Sequence, residues 1–400
     1  MRFSEIAGET GIFVDGDWIE KKDQDAKGAV RLIQLADVGP GEFRDKSDRH
    51  ITVEKADELH CTFLRKGDIL IARLGDPLCK ACVFPLDGLY ITAVDVAILR
   101  IGSDVVNPKY LIYLLNSPWF KDQVKQYESG TTRKRISRKN LDRIEMIFPP
   151  LPEQERIVAR IEELFSQLDA GVETLKKTKA QLSVYRQAAI TEAFSVENNT
   201  PNVCLSDIAQ IIGGITKGRD LSGTETIELP YLRVANVQDG YLDLSEIKTI
   251  KLRVDEKERY LLKPGDVLYT EGGDRDKLGR GTVWRGEIKD CVHQNHVFKA
   301  RVDQSKAIPE YVAFWSMSTP ARNYFYQKGK QSVNLASINK TVLSALTLPL
   351  PTLEKQREII NHIESRLSVC DSIEQTVDAA LHQAEAMRQS VLKQAFDGRL

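Results

Sequence analysis

Two stretches of the chain share a helical pattern of apolar and polar positions. In residues 154–194 and again in residues 356–396, apolar side chains recur every seven residues on an otherwise polar background, without an interrupting proline. The predicted stripe contains Ile161, Leu168, Leu175, Leu182, Ile363, Cys370, Val377 and Val391, with Tyr185, Ile373 and Met387 among the layers between them. Because so narrow a stripe cannot be buried alone, we predict two long helices that pack together as an intramolecular coiled coil.

The two stretches are copies of each other. At a fixed offset of 202 residues, twelve of 41 positions carry the same residue. The segments before them also repeat, since LIQLADV (Leu32–Val38) returns as YLRVANV (Tyr231–Val237), and KGDILIA returns as PGDVLYT. The predicted order is globular domain, helix, globular domain, helix, with boundaries at residues 1–148, 149–196, 197–350 and 351–400.

Each globular domain is predicted to mix strands and helices. The predicted strands of the first domain are Val30–Val38, Asp68–Leu74, Ala81–Phe84 and Tyr90–Ile101. Asn107 before Pro108 is typical of a helix cap and first turn. The predicted fold class is therefore α+β, with two similar mixed α/β domains separated by two long helices. If the helices pair antiparallel, the molecule is pseudo-twofold.

Bulk composition narrows the classes of protein that fit. A hydrophobic content of 42% supports real cores, whereas no window approaches eighteen consecutive apolar residues and the amino terminus shows no basic region followed by an apolar run. We therefore predict a soluble cytoplasmic protein with no membrane partner. The six cysteines are irregularly spaced in a long chain, which favours reduced thiols over a disulfide framework.

Basic residues cluster locally although the net charge is only −1. Between Lys121 and Arg143 there are eight basic residues against three acids, and Lys328–Lys340 is basic at the matching place in the second domain. One such run is most simply a solvated surface, but its recurrence favours a face that binds nucleic acid. The residues predicted to contact DNA are Arg73, Thr131, Thr132, Arg133, Lys134, Arg135, Arg138 and Lys139 in the first domain, and Lys217, Arg219, Arg275, Lys277, Arg280, His293, Lys328, Lys330, Gln331 and Asn334 in the second.

Candidate metal and catalytic patterns are weak. Cys79 and Cys82 form a lone C-x-x-C in what is predicted to be a buried strand, so packing is favoured over zinc there. Cys291, His293 and His296 have no second set of ligands, so strand packing or a DNA contact is favoured over a metal. The chain carries no Walker lysine motif, no H-E-x-x-H, no G-x-S-x-G and no catalytic tetrapeptide of an amino-methyltransferase. We predict that the chain itself performs no chemistry and binds no metal or cofactor.

Four strings together resemble one protein family. They are PPLPEQERIVARIEELFSQLD (Pro149–Asp169), QSVLKQAFDGRL (Gln389–Leu400), HQNHVFKAR (His293–Arg301) and SGTTRKRIS (Ser129–Ser137). With the repeated order of domains and helices, the chain resembles the specificity subunit of type I restriction-modification systems.

The resemblance implies a division of labour between this chain and its partners. Each globular domain would be a target-recognition domain that reads one half of an asymmetric, bipartite site in double-stranded DNA. The two helices would space the domains and dock two methyltransferase (modification) subunits, which restriction/translocase subunits would join. S-adenosylmethionine, ATP and magnesium would then be bound by those partners.

Three other readings of the sequence stay open. The chain could be the specificity subunit of a fused restriction-methylation enzyme, which differs in partners and not in chemistry. It could be a coiled-coil scaffold that does not bind DNA. It could also be a DNA methyltransferase or nuclease with an unrecognised active site, in which case the purified chain alone would transfer a methyl group or cut DNA.

Overall fold

The chain folds into two compact units. A computed structural model describes residues 1–130, 132–195, 200–331 and 336–399. Unit 1 comprises Met1–Leu175 with Ala379–Leu400, and unit 2 comprises Lys176–Asp378. Both unit boundaries lie inside the long helices, so each unit contains one globular domain and a part of both helices. The four-segment division of the chain stays a prediction.

Unit 1 contains two sheets and a set of short helices. Its strands are β1 (Ile12–Val14), β2 (Val30–Ile33), β3 (His50–Ile51), β4 (Ile69–Ala72), β5 (Ala81–Val83), β6 (Tyr90–Thr92) and β7 (Val96–Arg100). Its helices are α1 (Phe3–Ala7), α2 (Val53–Glu58), α3 (Pro108–Asn116), α4 (Pro118–Lys125), α5 (Arg138–Leu141) and the beginning of α6 (Leu151–Ala193). One sheet is antiparallel in the order β1-β7-β4-β5, and the other has the order β3-β2-β6 with β2 parallel to β6.

The sequence pattern explains why these elements form. Every residue of β4 is buried, with Ile69 and Ile71 in the core under α3 and Leu70 in the core on the opposite face of the sheet. An uninterrupted apolar run is what a strand covered on both faces requires. At the start of α3, the Asn107 side chain accepts hydrogen bonds from the backbone N–H groups of Lys109 and Tyr110, as a helix cap does.

Two predicted strands end earlier than the sequence indicated. Val30–Val38 stops at Ile33 because Asp37 is buried and accepts backbone hydrogen bonds from Gln34 and Ser47, which closes a turn. Tyr90–Ile101 is two strands in different sheets. The chain turns between them, and the Val96 backbone N–H donates to the Ala93 carbonyl within that turn.

Unit 2 repeats this plan. Its strands are β8 (Asn202–Cys204), β9 (Ala209–Gly213), β10 (Thr226–Leu232), β11 (Lys248–Arg253), β12 (Asp266–Thr270), β13 (Gly272–Gly273), β14 (Gly281–Val283), β15 (Val292–His293), β16 (Val297–Val302), β17 (Lys330–Gln331), β18 (Ala336–Ser337) and β19 (Thr347–Pro349). Its helices are α7 (Leu205–Ile208), α8 (Lys257–Tyr260), α9 (Pro309–Met317), α10 (Thr319–Lys328), α11 (Lys340–Ser344) and the beginning of α12 (Leu353–Phe396).

Two sheets of unit 2 correspond strand by strand to the two sheets described for unit 1, and unit 2 has two further small sheets, β13-β18-β17 and β19-β8. The antiparallel order β9-β16-β12-β14 matches β1-β7-β4-β5, and β11-β10-β15, with β10 parallel to β15, matches β3-β2-β6. Each unit also has, at the same place, a buried aspartate that pairs with an arginine. Arg100 binds both carboxylate oxygens of Asp68 at 2.8 Å, and Arg301 binds those of Asp266 at 2.8 and 2.7 Å. The predicted repeat of two mixed α/β domains is confirmed.

A buried glutamine joins each globular domain to its long helix. The Gln154 amide accepts from the Asn107 backbone N–H and donates to the carbonyls of Val105 and Pro149, each at 2.8 Å. Gln356 makes the same three kinds of contact in unit 2, with the N–H of Ile308 and the carbonyls of Lys306 and Pro351 at 2.8–3.1 Å. Both side chains are fully buried, so the direction of each helix is fixed by hydrogen bonds to backbone groups.

The long helices pair antiparallel within each unit. In unit 2, three ion pairs join α6 to α12: Lys179 with Asp378, Arg186 with Asp371, and Glu192 with Arg366. The residue number increases along α6 while that of its partner on α12 decreases, so the helices run in opposite directions. In unit 1, Asp169 of α6 forms an ion pair with Arg388 of α12, whose guanidinium lies 4.7 Å from the Phe165 ring. The predicted antiparallel pairing of the two helices is therefore confirmed.

The predicted stripe separates into covered and uncovered positions. Ile161, Leu182, Ile363, Cys370 and Val377 are buried, and Leu168, Leu175 and Val391 are half-buried. Three positions of the intermediate layers differ from the prediction, because Tyr185, Ile373 and Met387 are exposed. A two-helix seam covers little more than one side chain per turn, so positions beside it stay in solvent. Within the described residues, no helix combines the length and the apolar character that crossing a membrane requires.

Candidate nucleic-acid interface

The basic loop of unit 1 is folded back beside the carboxyl end of β4. Ser129 and Arg135 exchange backbone hydrogen bonds at 2.8 and 2.9 Å, and the Gly75 N–H donates to the Lys134 carbonyl at 3.0 Å. Within this loop, Thr132, Arg133 and Arg135 are exposed. The backbone is therefore held by its own hydrogen bonds while these side chains point to solvent. Thr131 lies outside the described residues.

The next basic residues are partly engaged inside the unit. Lys134 pairs with Glu128 at 3.0 Å. Arg138 contacts Asp15 at 3.2 Å, donates to the Phe13 carbonyl and places its guanidinium 5.7 Å from the Phe13 ring. Lys139 is exposed. Arg133, Arg135 and Lys139 are thus the residues of this loop with the most accessible charge.

Arg73, which is predicted to contact DNA, is almost completely buried, and its burial counts against that prediction. Its guanidinium lies 3.0 Å from Asp15 and donates to the carbonyls of Ile136 and Val94. Only 7% of Arg73 is exposed. These contacts join the end of β4 to the basic loop, so Arg73 positions the loop and keeps little accessible surface with which to contact a phosphate.

Lys121, which contributes to the basic run of the sequence, is partly buried, and its amine is bound by groups of the same unit. Its amine donates to the carbonyls of Leu78 and Cys79 at 2.9 and 2.5 Å, and burial lowers the pKa of Lys121 to about 8. Helix α4, which carries Lys121, is therefore hydrogen-bonded to the segment that follows β4. Sequence density alone overstated the charge that this region presents to a ligand.

In unit 2, two predicted DNA-binding segments meet in one small sheet. Strand β13, in the loop after β12, pairs with β18, and β18 pairs with β17. This brings Arg275, Lys277 and Arg280 into the same region as Lys328, Lys330 and Gln331. The last three residues are exposed, whereas Asn334 lies outside the described residues.

Several basic residues of unit 2 have internal partners. The Arg275 guanidinium lies 4.3 Å from the Tyr326 ring and donates to the Tyr326 carbonyl, and Lys277 pairs with Asp274. In the loop between β9 and β10, Lys217 is exposed, while both terminal nitrogens of Arg219 donate to Glu256 at 2.8 and 2.9 Å. Arg219 therefore has less capacity to bind a phosphate than its position in the sequence indicates.

His293, which is predicted to contact DNA, is fully buried, and its burial counts against that prediction. Its Nδ1 lies 2.6 Å from the Val297 carbonyl and must donate to it, and its ring stands edge-on to Tyr260. Burial, assisted by the nearby positive charge of Lys299, lowers the pKa of His293 to about 4. The neighbouring His296 and Glu271 are at the surface instead, with Nδ1 of His296 2.5 Å from Oε2 of Glu271.

Sequence reasoning did not distinguish the buried His293 from the exposed His296 because both occur in the same short string. In unit 1, Thr92 occupies the position of His293, and its hydroxyl donates to the Val96 carbonyl at 3.3 Å. Comparison of the two repeats therefore indicates that His293 is a packing residue, because the equivalent position in unit 1 is a buried threonine.

The cysteines are placed as packing residues. Cys79 and Cys82 belong to cores on opposite faces of the sheet, and burial raises the pKa of their thiols to about 11 and about 12. Cys291 is also buried. Within the described residues, no three histidine, cysteine or acidic side chains are grouped closely enough to hold a metal ion.

Comparison with known proteins shows the family. The model of the type I restriction modification DNA specificity domain matches residues 11–183 and again residues 198–383. The chain belongs to this family. Each match contains one globular domain with its basic loop, and the family accounts for the repeated order of domain and helix.

Two curated specificity subunits are similar to this chain. The type I restriction enzyme StySPI specificity subunit of Salmonella potsdam is 26% identical over 313 residues, which are 74% of this chain and 66% of that subunit. The EcoKI specificity subunit of Escherichia coli (strain K12) is 24% identical over 309 residues, which are 73% of this chain and 65% of that subunit. The match thus spans slightly less than two thirds of either relative.

A solved structure shows the same fold. It is described as "Structural basis underlying complex assembly and conformational transition of the type I R-M system" and is 19% identical to this chain. The superposition covers 100% of this chain and 97% of that chain with a TM-score of 0.68.

Proposed function

We propose that this chain is the sequence-specific DNA-recognition subunit of a type I restriction-modification complex. Each globular domain reads one half of a bipartite, asymmetric site in double-stranded DNA. The observation that carries the proposal is that the family match occurs twice, and that in each matched domain a basic loop lies beside the carboxyl end of the same strand, β4 or β12. Exposed arginine and lysine side chains suit phosphate contacts, while base edges are read by the few side chains that enter a groove.

The proposed partners are two methyltransferase subunits, joined by restriction/translocase subunits. Exposed apolar side chains on the long helices support this assignment, because a monomeric helix surface gains nothing from them: Val184 is 71% exposed and Val369 58% exposed in unit 2. We assign S-adenosylmethionine, ATP and magnesium to those partners, and the chemistry with them, in the cytoplasm. The role of the helices in spacing the two domains also stays a prediction.

The exposed arginines of the unit 1 loop are expected to contribute directly to binding. Arg133→Ala or Arg135→Ala should weaken specific DNA binding by about 1–3 kcal/mol if the lost contact is to a base, and should make the salt dependence shallower if it is to a phosphate. Affinity measured over a series of salt concentrations separates the two cases.

The matched control is Arg65→Ala, because Arg65 is exposed at the other end of β4. This control should bind as the original chain does. If both loop variants keep the affinity and salt slope of the control, the loop is a solvated surface and not a DNA contact.

The proposal is tested by selection from a randomised DNA pool with the full chain in complex with methyltransferase subunits. The expected result is a motif of two short, unlike blocks separated by a fixed gap. A single continuous block would contradict bipartite reading, and no enrichment by an intact complex would contradict DNA recognition. Methyl transfer by the purified chain alone would contradict the assignment of chemistry to the partners.

A further inference from the structure

Unit 2 presents an acidic side chain in the middle of its basic region. Glu271 follows β12 directly and is held by His296, whose Nδ1 lies 2.5 Å from Oε2 of Glu271. The two residues border a groove of about 500 Å³ whose other walls are Val234, Gly272, Gly273, Ala336 and Ser337. The side chains are 26% exposed for Glu271 and 54% exposed for His296, so the pair is accessible from the groove.

The backbone beneath this pair is rigidly tied to the unit. The Glu271 N–H donates to the His296 carbonyl at 2.9 Å, and the turn that carries His296 is bound further by the hydrogen bonds Gln294 N–H to Leu232 O and Asn295 N–H to Ile215 O, each at 2.9 Å. No side-chain atom takes part in these bonds. The fold therefore does not require the particular side chains at positions 271 and 296.

Unit 1 shows the same scaffold with different side chains. The Arg73 N–H donates to the Asp95 carbonyl at 2.8 Å, which is the backbone bond that joins Glu271 and His296 in unit 2. Where unit 2 has an accessible carboxylate, unit 1 has a guanidinium that is turned inward onto Asp15. Equivalent positions on one scaffold thus carry opposite charges and different exposure, as expected of positions that discriminate between ligands.

A carboxylate beside these basic residues requires a favourable interaction that offsets its repulsion of DNA. Lys330 and Gln331 are exposed on β17, two strands from Gly272 and Gly273 in the same small sheet. The positive charge of Lys330 attracts phosphates, whereas Glu271 repels them, so an acid here weakens general DNA affinity. It becomes favourable only opposite a hydrogen-bond donor. In the major groove, the donors are the exocyclic amino groups of cytosine and adenine. Gly272 and Gly273 line the groove beside Glu271 and have no side chains, so they do not block the approach of a base edge.

We propose that Glu271 reads one base pair of the half-site recognised by unit 2, by accepting a hydrogen bond from the amino group of a cytosine or an adenine. One carboxylate oxygen is occupied by His296, which leaves the other for the base. His296 is a positioning residue that fixes the orientation of the carboxylate. This inference rests on the proposed function and deepens it by assigning one specificity-determining residue.

The test compares four proteins in the pool selection, each as the full chain with methyltransferase subunits: the original chain, Glu271→Ala, His296→Ala and Glu287→Ala. Glu287 is the matched control, because it is exposed and follows β14 at the end of the sheet near the start of β12, so the same charge is removed away from the groove. For Glu271→Ala we expect the preference at one base pair of one half-site to fall about tenfold or more, while the other half-site is unchanged. His296→Ala should relax the same base pair to a smaller extent.

Non-specific affinity supplies a second, opposite readout. Loss of a carboxylate from a basic region should leave binding to unrelated DNA equal or tighter, whereas misfolding would weaken it. If all four proteins select the same motif with the same strength, the assignment of Glu271 is wrong although the proposed function stands. Equal weakening of every position in both half-sites by Glu271→Ala would also overturn it. If the original chain enriches no motif, the proposed function itself fails.

Discussion

Replacing Ile363 by aspartate is expected to lower the free energy of unfolding of unit 2 by at least about 4 kcal/mol. Ile363 is fully buried where α12 packs against Ile190 and Ala193 of α6. The substitution removes the apolar contacts of the isoleucine and places a carboxylate in a site that offers it no water. Urea denaturation followed by the helical circular dichroism signal measures the loss.

The same helix provides a matched control for this prediction. Ile373 lies ten residues further along α12 and is 40% exposed, although the heptad pattern places it beside the seam. Ile373→Asp should therefore change the free energy of unfolding by less than about 0.5 kcal/mol. Equal losses in the two variants would mean that the packing of the helix pair differs from the arrangement described above.

Acid is expected to destabilise unit 2 through His293. The pKa of His293 is lowered to about 4 in the folded chain, against 6.5 for the ordinary side chain, because protonation would place a charge in a buried site. Of the charged groups that face the ring, Lys299 and Arg301 oppose protonation and Asp266 favours it. Below pH 6.5 the unfolded chain binds the proton first, so stability falls as the pH decreases from 6.5 towards 4. The loss approaches about 3 kcal/mol, since each pKa unit corresponds to about 1.4 kcal/mol.

The unit 1 repeat suggests the substitution that tests the role of His293. Thr92 makes the equivalent hydrogen bond with a group that does not titrate, so His293→Thr should retain that bond and remove this component of the acid sensitivity. The control is His362→Thr, because His362 is exposed on α12 of the same unit and its loss should leave the acid sensitivity in place. Identical dependence of unfolding on pH in the original chain and in His293→Thr would contradict the prediction.

The elements that sequence reasoning placed correctly are those specified by local pattern. The heptads of α6 and α12, the apolar run of β4 and the Asn107 cap are each encoded within a few turns or residues, and the repeat supports them twice. Tyr90–Ile101 was read as one strand because β6 and β7 are both rich in apolar and β-branched residues and lie only three residues apart. What separates them is the turn that ends at Val96, and that turn depends on the sheet each strand joins.

The candidate interface was predictable in its location and less so in its residues. Basic loops follow the same element in both domains, which is visible in the sequence. Whether a given charge is available depends on partners distant along the chain, such as Asp15 for Arg73 or Glu256 for Arg219. Lys121 illustrates the same limit, because its amine is bound by carbonyl groups 42 and 43 residues away. Density of charge along a sequence cannot distinguish these residues from Arg133 and Arg135.

The hydrogen bonds that Gln154 and Gln356 make between each globular domain and its long helix affect how far the sequence of that domain can change. Gln154 and Gln356 bind only main-chain amide and carbonyl groups, which every amino acid other than proline supplies in the same form. Mutations that replace the side chains around either glutamine leave these hydrogen bonds intact. The sequence of a globular domain can therefore diverge with almost no constraint from its attachment to the helix.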